Sequence, residues 1–582
     1  MKSTLQTAAL ALACAPLTCA LNVTILADTN RDGIIDAKTD AEKKAEWSET
    51  RGALFLPNIG DADDHCHEKM FDIFSNLNHS LDLSVNTDIL GNAIESCNDA
   101  SDDTQRNPQY LAPILVLANC KVSPSATGSV HVTNDLAAKK VRIFQKDGDA
   151  WKYIAANHIF TAQELRKGLS LDVEQFISTA GDDDDVDGAQ AYFVKQLQKH
   201  VADAGFSEPV TLMSNSDEVT TQDYFESGYA SIPGPHGPVV IRIVIRSAQW
   251  QLFPGVEAID RLRSDTVGAV QQPLLASDSP TDSLGNLETI PPYTHNGKSY
   301  PAGRIVMGAV KGVKPLIFPF LEAQEFQVPL LLDVSWLAPV QIDKFLHFLP
   351  ADNERGWVLM INDPNAGLEL LARASRDGHG GLPAVSRPVL PTTFGCQVIE
   401  TVDKVLGLAE LEIITRNVTV RIEDNIAILK RETGLSDDEI FRVPALFYPV
   451  DRPVFTCDEE AENTAPARGA PGPSLMRPCR CGKREKGIRT QTGELRQKGS
   501  GRYYPNAINN IVLTANHTVL APNPFGPVID GVDIIAEAIT AVYARANFKV
   551  TYLDDWFSHY INGADVHDGT NVWRDASMPW WG

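Results

Sequence analysis

Four consecutive aspartates, Asp182 to Asp185, divide this chain into two segments that read differently. Adjacent like charges repel and resist packing, so the tract Gly181–Gly188 reads as a linker or exposed turn. From Leu21 to about Phe176 the apolar residues come in short runs between polar loops: Leu21–Leu26, Ala53–Leu56, Ile114–Leu117, Val130–Val132 and Val141–Phe144. Such spacing predicts a β-rich region. Beyond the tract, strands alternate with helices, the pattern of an α/β domain. Tyr192–Ala204 has helical periodicity, Val239–Ile245 is a dense β-branched run, Ile305–Val310 is a strand and Gly367–Ala374 a helix. Asn425–Thr433 is predicted helical with Asp424 as its cap, and Val532–Arg545 is a helix leading into the strand Phe548–Leu553. At 582 residues the chain exceeds what one core usually serves, so two or more domains are expected.

Lys2 and the apolar run through Ala20 read as a signal peptide, residues 1–20, whose removal leaves Leu21 as the first residue of a secreted product. The run is too short to span a bilayer, and no other long apolar stretch follows. Asn22, Asn78, Asn417 and Asn516 each open an Asn-x-Ser/Thr acceptor, in keeping with export. Of the nine cysteines, Cys14 and Cys19 leave with the signal. Cys66, Cys97, Cys120, Cys396, Cys457, Cys479 and Cys481 remain, an odd set that leaves at least one thiol without an internal partner. Cys66 with Cys97 is the first bridge expected. Cys479 and Cys481 lack a second ligand pair, which argues against zinc. A net charge of −24 excludes nucleic acid or an anionic membrane as partner and suits divalent cations or cationic peptides. The Pro-, Gly-, Arg- and Lys-rich stretch Ala467–Arg502 is predicted to be a disordered basic insertion, spanning about 458–503.

Asp28, Asn30, Asp32 and Asp36, with Gly33 between them, alternate oxygen side chains around a tight turn, as a calcium loop requires. Asp61, Asp63 and Asp64 are candidates to complete the shell. Thr39 stands at the twelfth position, where an EF-hand needs Glu, and a strand precedes the loop, so this is not an EF-hand.

Four stretches of the second segment carry a family resemblance. They are Gln222-Asp223-Tyr224-Phe225-Glu226-Ser227-Gly228-Tyr229; Gly285-Asn286-Leu287-Glu288 with Pro291-Pro292 and Tyr300-Pro301-Ala302-Gly303-Arg304-Ile305; Val340-Gln341-Ile342-Asp343-Lys344-Phe345 with Phe348-Leu349-Pro350-Ala351; and Phe525-Gly526-Pro527-Val528-Ile529 with Val566-His567-Asp568-Gly569-Thr570-Asn571 and the closing Trp580-Trp581. In this order they resemble the protein-arginine deiminases. The resemblance implies a pentein fold, five ββαβ units around a pseudo-fivefold axis, over residues 191–582. It implies an immunoglobulin-like calcium-binding domain over residues 21–176, shortened around Leu171–Glu174, and an acidic linker over residues 177–190. The family's usual first domain has no counterpart here.

The family hydrolyses peptidyl arginine to citrulline and ammonia with calcium as cofactor. Two carboxylates clamp the guanidinium, a thiolate attacks its carbon and a histidine shuttles protons. Carried over, the clamp is Asp223 and Asp343. The histidine position is Gln341, which cannot exchange a proton near neutral pH, and the cysteine position is Asp568, a poor nucleophile that adds a third carboxylate. The resemblance assigns one catalytic-domain calcium to Gln222, Glu226, the carbonyls of Leu284 and Leu287, and Glu288. A second ion is lost, because Tyr224 and Arg246 stand where carboxylates are needed. Arginines that hold the substrate backbone fall near Gln249 and Gln251. Three readings stay open: an active deiminase with an unrecognised nucleophile, a non-catalytic module that binds arginine-containing proteins or cationic peptides, and a structural paralogue that keeps only calcium.

Overall fold

The computed structural model describes residues 23–175 apart from 49, 57–59, 67–96, 101, 119–122, 133–134, 139–140 and 168. It also describes residues 188–574 apart from 207–209, 214–219, 250–257, 260, 271–278, 388–395, 398–399, 450–455 and 458–498. The expected signal peptide, Asn22, Asn78, Cys120, the linker through Asp187, Gln251, Cys479, Cys481, most of the basic insertion and Trp580–Trp581 lie outside the described residues, as does the side chain of Tyr224.

The first region is built on a five-stranded antiparallel sheet in the order Val23–Ala27, Ala112–Ala118, Leu169–Gln175, Val141–Asp147, Ala150–Tyr153. Ala112, Ile114 and Val116 alternate inward, and Ile114 and Val116 pack with Ile143, Phe160, Leu169 and Leu171. Leu171–Glu174, where strands were expected to be missing, lies at the centre of this sheet. Ala53–Leu56 and Val130–Val132 form no strand. Leu56 is apolar for another reason: it is buried in a core of the second region, with Phe225 and Ile241. The expected Cys66–Cys97 bridge is formed, and Arg263 Nη1 of the second region donates to the Cys97 carbonyl at 3.0 Å. Gly33 has φ of +81°, and a Cβ there would meet the Gly234 carbonyl at 2.3 Å, so only glycine lets the acidic loop dock on the second region.

The second region repeats one unit. Four three-stranded sheets each pair their first two strands antiparallel and add the third parallel to the second. In chain order they are Phe225–Ile232, Val239–Arg246, Val267–Val270; Leu287–Ile290, Arg304–Ala309, Leu330–Asp333; Leu346–Pro350, Trp357–Asp363, Ile440–Pro444; and Ile511–Leu513, Thr518–Pro522, Lys549–Leu553. Phe447–Pro449 pairs with Ser500–Arg502 between the last two. A parallel third strand requires a crossover, and helices supply it. Pro364–Ala374 starts where Asp363 accepts the Ala366 amide at 3.0 Å, and Ile534–Arg545 starts where Asp533 accepts the amides of Ile535 and Ala536.

Two boundaries differ from expectation. The helix predicted at Asn425 runs from Leu411 to Thr433, so Asp424 lies in its interior and caps nothing. The buried stripe Leu411, Thr415, Val418, Ile422, Ile426, Leu429 carries the helix through the β-branched positions ahead of Asp424. The insertion also ends sooner than expected, because Ser500–Arg502 is a strand and Tyr503 is buried.

Candidate active site

The site residues occupy equivalent places in the repeat, on the turns that lead into the first strand of each unit. Asp223 sits in the short helix Thr221–Tyr224 ahead of Phe225–Ile232, and Ser283 in the turns ahead of Leu287–Ile290. Gln341, Asp343 and Lys344 precede Leu346–Pro350, and Asn506 and Asn509 precede Ile511–Leu513. Asp568 arrives on the loop after the last strand, where its carbonyl accepts the Gln222 amide at 2.9 Å. Buried Asn286 fixes two of these turns together. Its amide donates to the carbonyls of Thr281 and Gly308 at 2.8 Å each, and its oxygen accepts from Gly308 and Ile342. A Cβ on Gly285 would come within 2.9 Å of Asp223 Oδ1 and 3.1 Å of Asp343 Oδ2, so the approach of both carboxylates requires glycine there.

Gln341 Nε2 donates to Asp223 Oδ1 at 2.8 Å and to Ser283 Oγ at 2.7 Å, and Ser283 Oγ itself donates to Asp223 Oδ1. Asp343 Oδ2 accepts from Asn509 Nδ2 at 2.8 Å and lies 3.2 Å from His567 Nδ1. Between Asp343 and Asp568 stands Lys344. Its ammonium is 3.3 Å from Asp343 Oδ2 and in direct contact with Asp568 Oδ1, and the residue is 1% exposed. Asp568 Oδ2 accepts the Asp565 amide at 2.7 Å, and Asn509 Oδ1 takes the amides of His567 and Asp568. Asp565 in turn pairs with buried Arg502 at 2.9 Å.

Burial, with Asp568 nearby, pushes the half-buried Asp223 up to about 7. Burial also raises Asp568, although Lys344 pulls the other way. For Asp343 burial again opposes ionisation, but Lys344 and His567 outweigh it and hold the carboxyl below its ordinary value. Burial would neutralise Lys344, yet Asp343 and Asp568 keep it charged. His567 is likewise lifted against burial, to about 9, chiefly by Asp343 and Glu288. Asp568 does add a third carboxylate, and its repulsion contributes to the raised Asp223; what the sequence did not show is the lysine that stands between Asp343 and Asp568.

The sequence model of the protein-arginine deiminases matches residues 165–582. This chain belongs to that family. Human protein-arginine deiminase type-3 is 28% identical over 378 residues, which are 63% of this chain and 48% of the relative. Rat protein-arginine deiminase type-4 is 27% identical over 376 residues, with the same shares, and human type-4 is 28% identical over 377. The chain thus spans about half the length of the curated relatives it matches. The four positions that the resemblance to protein-arginine deiminases singled out, Asp223, Gln341, Asp343 and Asp568, are the ones that converge here.

Beside this centre lie the residues to which the resemblance assigns a calcium. Glu226 and Glu288 are adjacent and largely enclosed; burial and their mutual repulsion lift Glu226 to about 8, and burial first lifts Glu288 to about 7. Gln222 Nε2 donates to Glu226. The Leu284 carbonyl accepts the Leu287 amide and keeps a lone pair free. Two carboxylates short of positive charge, an amide and main-chain oxygens are a hard donor set that fits calcium. Arg246 is buried, with its basicity lowered by burial to about 10. Gln249 is buried as well and donates to the Ser279 carbonyl at 2.8 Å.

In the first region the carboxylates of the acidic loop bind the loop's own amides. Asp28 accepts from Asp32 and Gly33, Asp32 from Ile34, and Asp36 from Lys38 and Thr39, while Asn30 donates to Asp32. Their centre is Asp40, fully buried, which sequence reasoning passed over; it accepts from Thr29 and Asp36. Asp61 and Asp63 do not complete this loop. They gather with His65 and Asp99 in a separate cluster, beside the Cys66–Cys97 bridge.

Lys344, Ser283 and Asn509 were also missed. Lys344 had a signal: a cation next to a clamp aspartate inside the apolar run Val340–Phe345, in a chain with an extra carboxylate at 568.

Proposed function

We propose that this chain is a protein-arginine deiminase family protein that does not hydrolyse peptidyl arginine. One observation carries the reading: Asp568, at the position of the family's nucleophile, is buried in an ion pair with Lys344. A carboxylate that already shares its charge with an ammonium is a weaker nucleophile still toward the carbon of a cation. Gln341 supports the same conclusion, since its amide bonds to Asp223 and Ser283 but has no proton to exchange near neutral pH.

The four repeated sheets, with the Phe447–Pro449 and Ser500–Arg502 pair as a fifth unit, support a pentein propeller. The five-stranded sheet before them supports an immunoglobulin-like domain. Calcium would be held by Gln222, Glu226, Leu284, Leu287 and Glu288, and separately by Asp28, Asn30, Asp32 and Asp36 in the first region. At the former site it would supply the positive charge that tethers the Asp223 turn to the turn before Leu287. Export rests on the N-terminal apolar run and on Asn417 and Asn516, both exposed acceptors. Retention of Asp223 and Asp343 is the ground for a second reading, arginine binding without chemistry, which would require Lys344 to give up its place on Asp343.

A citrulline assay on arginine peptides with saturating calcium tests the main reading. No product is expected; turnover that disappears in Asp568→Asn would overturn it.

A further inference from the structure

We propose that Lys344 is the resident cation of this site: it occupies the clamp carboxylate Asp343, together with Asp568, where a guanidinium would have to pair, and so keeps arginine out. This rests on the reading of Asp223 and Asp343 as the clamp. The ammonium touches both Asp343 and Asp568, and Asp223 adds to the field that holds it there. The side chain is enclosed, and the main chain from which it extends is held from two sides. The Lys344 carbonyl accepts from Asn506 Nδ2 at 2.6 Å and from Asn362 Nδ2 at 3.2 Å. Displacing the ammonium would strip the counter-charge from two buried carboxylates, which costs far more than a surface pair would. A guanidinium admitted beside it would meet a like charge at contact distance in a site screened from water.

The lysine therefore also bears on repair of the chemistry. Restoring Gln341→His and Asp568→Cys alone would leave the ammonium between Asp343 and the new thiol.

Calorimetry with L-arginine amide, on the calcium-loaded full chain and on Lys344→Ala, tests the proposal. The truncation opens a cavity the length of a lysine side chain between Asp343 and Asp568. Native protein is expected not to bind at millimolar ligand, and the variant to bind at least about tenfold more tightly. Norleucine amide, which has no charge on its side chain, should bind neither. If Lys344→Ala fails to fold, Lys344→Ala/Asp568→Asn removes both buried charges and leaves the clamp pair intact; the same gain is expected there. Native binding as tight as the variant's overturns the proposal, and so does a folded variant that shows no gain. The citrulline assay reads the native chain alone, so an error about the chemistry and an error about Lys344 appear in different experiments.

Discussion

Two acidic centres lie on either side of His567, and they differ in the source of their positive charge. Around Asp343 and Asp568 the chain supplies its own cation, Lys344, in direct contact. At Glu226 and Glu288 the nearest cation among the described residues is His567, whose Nε2 is 3.9 Å from Glu288. Arg574 acts there only at a distance. The consequence is visible at Asp343, which Lys344 and His567 together hold below its ordinary range, whereas burial still raises Asp568 and lifts Glu226 and Glu288 to about 8 and about 7. A site with an internal cation is complete without a ligand. Paired carboxylates without one are suited to receive charge from outside, and the calcium proposed for Glu226 and Glu288 rests on that difference.

The largest effect expected from this contrast is calcium stabilisation. At a hundredfold excess over its dissociation constant, a single calcium should add about 2.7 kcal/mol to the unfolding free energy. Glu288→Gln should abolish the part due to the second region and Asp32→Ala the part due to the first. Lys344→Met should leave both increments in place. Denaturant unfolding with and without calcium checks this, and an increment unchanged in Glu288→Gln would erase the distinction between the two centres.

A smaller effect sharpens the comparison at a third acid pair, where one internal cation serves two carboxylates. Asp555 and Asp565 are buried beside Arg502, and among the described residues neither Asp555 oxygen has a hydrogen-bond partner. Burial, then repulsion from Asp565, raises Asp555 well above its ordinary value, and burial lifts Asp565 to about 7 despite Arg502. Acids with raised folded pKa bind protons that the unfolded chain releases, so their contribution to stability falls as pH rises from about 4 to 7. Asp555→Asn removes that loss. Its advantage over the native chain should grow from pH 4.5 to pH 8, by about 1.4 kcal/mol for every tenfold by which the folded carboxyl binds its proton more tightly than the unfolded one. A constant difference across that range would mean that Arg502 already compensates both acids.

Much of the frame was legible beforehand. The strand runs Val239–Ile245 and Ile305–Val310 are β-branched or apolar on both faces, and Asp363 and Asp533 cap helices close to where periodicity begins. The Cys66–Cys97 bridge, the first one expected, is formed, although cysteine usage alone does not fix a pairing. The misreadings share a cause: residues whose partners are remote. Leu56 looked like a strand residue because it is buried across a domain contact, and Asp61 looked like a ligand of the Asp28 loop because proximity in sequence is not proximity in space. The site was legible in its identities but not in its charge balance. Lys344 and Asp568 are 224 residues apart, and neither alone announces an ion pair.

That pair is the centre of the account, and a double-mutant cycle on Lys344→Met and Asp568→Asn, read by denaturant unfolding, tests it most directly. Lys344→Met strips the counter-charge from Asp568, and Asp568→Asn leaves the ammonium with Asp343 alone, whereas the double change removes the pair and keeps its volume. The double variant should be more stable than the sum of the single losses allows, by at least about 1 kcal/mol of coupling. Additive losses would mean that the two side chains do not hold each other, and would reopen the reaction centre as a site with a free carboxylate.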